Sequence, residues 1–494
     1  MATLARAFSS ESSDLAVLVP QKPSPLAISY KQLSAHVSQF QAQLARLGVG
    51  HGGAVSLALV NSYEFIVAFL GASWQRAIAA PLNPAYKQEE FEFYIEDLNS
   101  TLVLVPQGAY AQNGPAVRAG RKFNAAIAEC YWSGSEVVLD LKERGKLAGN
   151  TGVKVEPAQE DDVALVLHTS GTTGRPKAVP LTHKNLTTTM KNIQATYQLT
   201  PQDRTYLVMP LFHVHGLLAA FLAPLASGGS VIVPTKFSAH EFWSDFITYK
   251  ANCPIPEIRF IRSCSSPLSP KTFQDLEKTF NAPVLEAYAM TEAAHQMTSN
   301  PLPPGKRQPG SVGIGQGVEI KILDQEGNEV AQGAEAEICV RGENVTKGYL
   351  NNPAANKSSF TKGGFFRTGD QGKKDPDGYV IITGRIKELI NKGGEKISPI
   401  ELDNTLLANP KVAEAVCFSI PDEGHYGEDI GAAVVLKSAG TATEEELKSW
   451  VAGKLAKFKT PKQVWIVTQI PKTATGKIQR RKVAETMLTP KPKL

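Results

Sequence analysis

Cysteine is scarce in this chain: five of 494 residues, namely Cys130, Cys253, Cys264, Cys339 and Cys417. They are scattered, odd in number, and form no CxxC pair. That argues against a disulfide framework or a zinc site and for a reducing compartment, the thiols serving as small buried hydrophobes. Long apolar runs are missing too. No stretch reaches the roughly eighteen apolar residues of a membrane helix, so no transmembrane segment is expected. The opening MATLARAFSSESSDLAVLVP lacks a basic segment followed by a long apolar one, so no secretory leader is expected. Excess charge is small, a net +5. Only the end, KTATGKIQRRKVAETMLTPKPKL, is more basic. KIQRRK alone has the composition of a targeting or nucleic-acid patch. No stacking aromatics accompany it, so a solvated face is expected and no nucleic-acid partner.

What is present is an ordinary globular composition, 42% hydrophobic and 20% charged. The length suggests several domains. Leu33, Val37, Phe40, Leu44 and Leu47 recur at three- and four-residue steps and predict one apolar helix face. Strand patterns at 54–60, AIAAPLN and TLVLVP alternate with helix patterns at 62–76 and KQEEFEFYIEDLN. Such alternation predicts a largely parallel sheet with helices on both faces. The polar stretch 141–160 reads as a connection. Near the end the grain changes. Residues 376–403 run from a strand into a glycine pair and a helix start. Strand patterns VAEAVCFSI and DIGAAVVLKS follow, then a helix with a capping box from Thr443 to Glu446 and a stripe of Leu447, Val451 and Leu455. The strand pattern QVWIVT comes last. The expectation is an α/β protein: a large N-terminal domain, residues 1–386, of mixed parallel sheets layered with helices, and a small α+β domain, residues 387–494.

The most chemical stretch is LHTSGTTGRPKAVPLTHKNL, residues 167–186. An apolar strand pattern ends in Thr169 and Ser170. Gly171, Thr172, Thr173 and Gly174 follow, then Lys177. A Walker loop needs Gly, four residues, Gly-Lys-Ser/Thr, and a helix after the lysine. Here Pro176 stands five positions after Gly171, and a strand pattern follows Lys177, so the Walker reading fails. Glycines still allow close backbone approach, while amides, hydroxyls and a lysine suit phosphate oxygens. A plain Ser/Thr/Gly hairpin loop is the alternative.

The string TSGTTGRPK resembles the signature loop of the adenylate-forming superfamily, which includes acyl-CoA synthetases, peptide-synthetase adenylation domains and luciferases. Further segments resemble that superfamily in its order: MPLFHVHGL (209–217), EAYAMTEAAHQM (286–297), FFRTGD (365–370), GRIKELINKGGEKISPIELD (384–403) and PKTATGKIQRR (471–481). The resemblance implies an ATP site at Thr169, Ser170, Gly171, Thr172, Thr173, Gly174 and Lys177. It extends that site to Ser265, Ser266, Pro267, Glu286, Ala287, Tyr288 and Thr291, with Asp370 on ribose and Arg385 bridging ribose and phosphate. Glu292 would hold Mg²⁺. Lys477 would be the catalytic lysine, assisted by Thr291 and Glu292, and Lys387 the hinge of a mobile small domain. Gly393, Gly394 and Lys396 would meet coenzyme A. Taken singly, several of these residues have plainer readings: a core tyrosine at 288, a helix start at Thr291-Glu292, an Asx turn at Asp370, a surface ion pair at Arg385.

The implied reaction joins a carboxylic acid to CoA through an acyl adenylate, with ATP, Mg²⁺ and CoA. No Asp stands in FHVHGL to hold an amino group, which disfavours amino acids. Ala287 and Ala289 narrow the acyl pocket, and His213 and His295 are candidates to face it; packing for His213 and helix capping for His295 are the alternatives. Histidines and serines in a small pocket suit a short dicarboxylate, since a second buried carboxylate needs partners. The combined wording is similar to plant and fungal oxalate–CoA ligases. Malonate, medium-chain or 4-coumarate-like acids remain alternatives, with a carrier-loading adenylating enzyme further off. The closing Pro492-Lys493-Leu494 shares two residues with a Ser-Lys-Leu peroxisomal address, which keeps cytoplasmic and peroxisomal locations open. Oligomeric state has no signal here.

Overall fold

The computed structural model describes residues 2–21, 23–149, 152–169, 175–249, 258–266, 268–422, 427–473 and 477–489. At its centre lies a seven-stranded sheet. In spatial order its strands are Val137–Glu143, Ala126–Trp132, Leu102–Pro106, Ala54–Leu57, Ile78–Pro81, Val163–Thr169 and Lys177–Thr182. The inner five pair in parallel, and the two outer strands pair antiparallel. Alternate side chains of one strand serve two cores. Leu102 and Leu104 join the layer of helices Tyr30–Leu47 and Tyr63–Trp74. Val103 and Val105 join that of Gln88–Asp97 and Pro115–Lys122. Period-two alternation with apolar residues on both sides is what a sheet covered on both faces requires. The predicted helix face is found: Leu33, Val37, Phe40 and Leu44 are fully buried, and Gln32 closes a capping box on Ser29.

Three further sheets complete the large unit. One orders Arg204–Tyr206, Ser230–Ile232, Leu15–Val19 and Leu26–Ser29. Another orders Ile261–Ser263, Val284–Met290, His295–Ser299 and Ile314–Gly315. A third is an antiparallel meander of Glu319–Leu323, Ala336–Arg341, Phe366–Lys374 and Val380–Arg385. The stretch 141–160 is not all connection. The strand Val137–Glu143 enters it, and a 3₁₀ turn, Gly145–Leu147, follows with Leu147 buried. Leu139 and Leu141 pack on the main core and extend that edge strand.

The small unit has its own cores. Its sheet orders Glu395–Ile397, Ile390–Lys392, Gly427–Leu436 and Val412–Asp422, and Gln463–Ile466 pairs in parallel with Gly427–Leu436. Ile390, Leu402, Leu406, Leu447 and Val451 fill one face; Phe418, Ile420, Ile470 and Val483 fill the other. The Thr443–Glu446 capping box is present on helix Glu444–Ala452. Leu455 lies beyond that helix's end but still packs on its core. The glycine pair does not lead directly into a helix. Gly393 (φ 60°) and Gly394 (φ 94°) form the two-residue turn between antiparallel strands Ile390–Lys392 and Glu395–Ile397. Positive φ at both positions is the demand of a tight hairpin, which glycine meets without strain. The helix begins at Pro399, capped by Ser398. Cys130, Cys339 and Cys417 are buried, Cys264 is half-buried, and all four are free thiols; Cys253 lies outside the described residues. Among the described residues no helix is long and apolar enough to cross a membrane.

Candidate active site

The loop between strands Val163–Thr169 and Lys177–Thr182 leaves the central sheet at the carboxyl end of a parallel strand, where open α/β sheets place ligands. Thr169 pairs with Lys177 across the base of the loop. Ser170, Gly171, Thr172, Thr173 and Gly174 lie outside the described residues, as does Pro267. The Lys177 ammonium sits 4.6 Å over the ring of Tyr349, a cation–π contact that holds it. The Tyr349 hydroxyl in turn donates to Glu292 Oε1 at 2.8 Å.

Glu292 follows strand Val284–Met290 in a one-turn 3₁₀ helix, Thr291–Ala293. It is buried, and burial raises its carboxyl above the usual range, with the Tyr349 bond and the charges of Lys177 and Arg385 opposing. One oxygen is engaged by Tyr349, and carboxylates accept on both. Mg²⁺ commonly takes one or two protein carboxylates and completes its shell with phosphate oxygens and water. A single buried Glu beside a phosphate-type loop fits that pattern.

Asp370 lies in a strand, not in a turn. It is in Phe366–Lys374, opposite Arg385 of Val380–Arg385, with Gly369 before it at φ 76°. This register lets Arg385 Nε donate to Asp370 Oδ1 at 3.0 Å. The Tyr288 hydroxyl donates to Asp370 Oδ2. A carboxylate offers about four acceptor positions, so capacity for two ribose hydroxyls remains. Burial first, and the Asp370 charge second, push the Tyr288 phenol well above its ordinary value. Glu286, on the same strand, accepts from Gly310 N at 3.0 Å, and burial pushes its carboxyl up to about 7. Ala287 is buried and Ala289 half-buried on the face opposite Tyr288.

Lys477 comes from the small unit. Thr473 and Lys477 bond to each other twice, Lys477 N to Thr473 Oγ1 at 3.1 Å and Thr473 N to Lys477 O at 2.9 Å. These bonds hold the backbone of Lys477 against that of Thr473. Its amine is lowered, by burial first and the Arg385 charge second, while Asp370, Glu388 and Glu292 oppose. Its side chain keeps solvent-exposed surface, so the lysine stands in a cleft open to water rather than in a core. Lys477 thus feels Arg385, Asp370 and Glu292, and Arg385 acts in turn on Glu292 and on Tyr288. Lys387 lies apart, exposed in the 3₁₀ turn Ile386–Glu388, and Gly393, Gly394 and Lys396 are exposed on the small unit's hairpin.

Three of the histidines, His213, His215 and His295, lie close together. The Arg204–Tyr206 sheet leads into a π-helix, His215–Leu222, a form that often marks functional sites. Gly216 is required there: a Cβ would sit 2.2 Å from Pro210 O. His295 is 1% exposed, at φ 102° in a strand, so it caps no helix. Its ring stacks on His215 at 5.1 Å, and neither ring nitrogen has a hydrogen-bond partner among the described residues. His213 lines a cavity of about 50 Å³ with Thr291, Phe212 and His168. Burial, then the Lys477 charge, lower His213 to about 4, so it is neutral at pH 7. Ser265 sits at φ 76°, a conformation costing a non-glycine residue about 1 kcal/mol or more. Ser266 is exposed.

Arg262, His215 and Tyr349 were not legible as site residues in the sequence. Arg262 Nη1 donates to His215 Nε2 at 3.0 Å, and Arg262 Nε donates to the Tyr197 hydroxyl at 2.7 Å. Tyr349 is the third. The only available signals were the second histidine of FHVHGL and an arginine three residues before Ser265.

Family models match the chain over most of its length: AMP-binding enzyme at residues 13–254 and 249–350, and AMP-binding enzyme C-terminal domain at 401–477. The chain is 48% identical to an oxalate–CoA ligase of Saccharomyces cerevisiae, over 97% of this chain and 95% of the relative. It is 47% identical to an oxalate–CoA ligase of Arabidopsis thaliana, over 89% and 90%. Among solved structures, ATP-bound MatB from Rhodopseudomonas palustris superposes with a TM-score of 0.86 at 30% identity, over 98% of each chain.

Proposed function

Because the chain belongs to the AMP-binding enzyme family, we propose that it is an ATP-dependent acid–CoA ligase, AMP-forming, whose acid is oxalate. The observation that carries the choice of acid is near-half identity, over about nine-tenths of the chain or more, to two relatives named as oxalate–CoA ligases. The narrow, histidine-lined acyl side supports it.

In the first step a carboxylate oxygen of the acid attacks the α-phosphorus of ATP. The bond to the β-phosphate bridging oxygen breaks, and pyrophosphate leaves. No protein atom becomes covalently bound, so positioning and charge neutralisation suffice. Lys477 faces the negative charge that builds at the α-phosphate. Asp370 holds the ribose, clamped in place by Tyr288 and Arg385. Lys177, on its Tyr349 platform, holds the outgoing phosphates, while the strand end at Thr291 orients the nucleotide. Bound Mg²⁺, held by Glu292, would neutralise phosphate charge. In the second step the CoA sulfur attacks the acyl carbon and AMP departs. The small unit pivots at Lys387 between the steps, withdrawing Lys477 and turning the Gly393-Gly394 hairpin and Lys396 toward CoA; rotation at a few hinge residues is a known switching mode.

The test is a panel of carboxylates with ATP and CoA, scored for AMP and thioester. Oxalate should be preferred over malonate, hexanoate and 4-coumarate. Strong turnover of another acid with none of oxalate would refute the assignment.

A further inference from the structure

His168 lies on strand Val163–Thr169, next to Thr169 at the strand's end, and its side chain is only 4% exposed. Its Nε2 meets Asp97 Oδ2 at 2.9 Å, across 71 positions of chain. Asp97 ends helix Gln88–Asp97 and keeps 28% exposure, so water is within its reach. Tyr94 and Phe93 of the same helix pack on the imidazole, with ring centroids at 4.7 and 5.9 Å. Arg175 lies 5.0 Å over the Phe93 ring and 3.9 Å from Asp97 Oδ1. The carboxylate is thereby held by a histidine on one oxygen and an arginine on the other.

A carboxylate only accepts, so a neutral His168 carries its proton on Nε2 and leaves Nδ1 as a bare acceptor. Nδ1 has no hydrogen-bond partner among the described residues. The ring lines the cavity of about 50 Å³ that also meets His213 and Thr291, with Asn83, Tyr86 and Tyr94 along its wall. With Nε2 committed to Asp97, Nδ1 is the nitrogen left to serve that space. Such a volume holds roughly three to five waters. It suits the narrow end of a chain, such as a primary thiol, and not a ring system. Burial lowers His168 below its ordinary value, with Asp97 opposing, so the ring is neutral and able to accept at pH 7.

We propose that His168, oriented by Asp97, is the base that takes the thiol proton of CoA in the second step. This rests on the acid–CoA ligase reading, whatever the acid, and adds a catalytic residue to it. The sulfur–hydrogen bond breaks, and its proton passes to His168 Nδ1. The sulfur electron pair bonds to the acyl carbon, and the bond from that carbon to the phosphate oxygen breaks, AMP leaving with its pair. The imidazolium, its charge faced by Asp97, passes the proton on to water. A free thiol of pKa about 8.5 is only a few per cent thiolate at pH 7. A base at this point therefore raises the share of sulfur that can react.

The test separates the half-reactions. His168→Gln supplies an amide that can still donate to Asp97 but can take no proton. Pyrophosphate release without CoA should stay within a few-fold of the parent. Thioester formation from supplied adenylate should fall about 100-fold at pH 7, the lower end of general-base contributions. The pH profile should change form as well. The parent loses thioester formation only as His168 protonates, below pH 6.5. The variant should climb about tenfold per pH unit toward the thiol's own pKa near 8.5, so the two converge on the alkaline side. Among the groups around the ring, Arg175 stays charged, burial pushes Tyr86 and Tyr94 up, and His213 stands at about 4, so none of these supplies that change. Asp97→Asn keeps an acceptor without the charge and should lose part of the thioester rate. Equal loss in both half-reactions would make His168 a brace between strand and helix. An unchanged thioester rate, or parallel pH profiles, would remove it from the chemistry. If His168→Gln does not fold, parent-like thioester formation in Asp97→Asn overturns the proposal. If the parent releases pyrophosphate but forms no thioester with CoA, the ligase reading falls first, before any variant is compared.

Discussion

Lys477 shows how little a residue's own neighbourhood in sequence reveals of its task. It stands in a basic stretch whose neighbours include Arg481, 82% exposed and paired with Glu485 one turn on. Yet Lys477 alone of that stretch feels Asp370, Arg385 and Glu292 together. A positive group placed where charge develops stabilises the transition state more than the bound substrates. Lys477→Ala should therefore lower adenylate formation about 100- to 1,000-fold, measured by oxalate-dependent pyrophosphate release. Thioester formation from supplied oxalyl adenylate should survive, because the second step does not need that charge. Equal loss in both half-reactions would contradict the division of labour. Arg262 is the opposite case. Its hydrogen-bond partners are His215, 47 positions away, and Tyr197, 65 away. Such a residue is invisible to spacing, whereas the clustered hydroxyls, glycines and lysine of 169–177 advertise phosphate chemistry within nine residues.

At the scale of elements, local rules were readable wherever a period or a cap sufficed. The buried stripe of Tyr30–Leu47, the Thr443–Glu446 box and the Thr182 cap on His183–Tyr197 are each properties of a few adjacent residues. The π-helix at His215–Leu222 was not readable, because it follows from close packing of Gly216 on Pro210, a tertiary fact. The same limit applied to KIQRRK. Read as a solvated basic face, it divides in the structure. Arg480 is 15% exposed and binds Asp403 Oδ2 at 2.5 Å, Cys417 O at 2.8 Å and, through Nε, Glu388 at 3.2 Å. It thereby ties helix Arg480–Leu488 to helix Pro399–Leu407, and both to the turn that carries Lys387. Arg480→Met would leave Asp403 enclosed without its cation. The cost should be about 3–5 kcal/mol, seen as an earlier denaturant transition of the small unit. A variant as stable as the parent would mean that water already solvates Asp403.

At the scale of the molecule, the two units carry different parts of one site. The large unit brings Lys177, Glu292, Asp370 and Arg385; the small unit brings Lys477, and its Gly393-Gly394 hairpin, proposed above to turn toward CoA, is exposed. One arrangement cannot place both Lys477 and that hairpin at the reacting carbon, so a two-step ligase of this build needs the units to move. Alternating strand and helix patterns, then a change of grain, were legible in the sequence; the pairing of faces was not, since it is set by contacts between distant segments. The turn Ile386–Glu388, with Lys387 exposed and Leu389 N bonded to Arg385 O at 3.1 Å, is the link that the rotation proposed above would use. Proline fixes φ near −65° and restricts the residue before it. Lys387→Pro should therefore leave first-turnover pyrophosphate release within a few-fold of the parent, because Lys477 already lies near Asp370, Arg385 and Glu292 here. Thioester formation from supplied adenylate should fall by about tenfold or more, a barrier increase of roughly 1.4 kcal/mol. If both half-reactions persist, the rotation is taken up elsewhere in the chain; if pyrophosphate release alone is lost, the two steps have been assigned to the wrong arrangements.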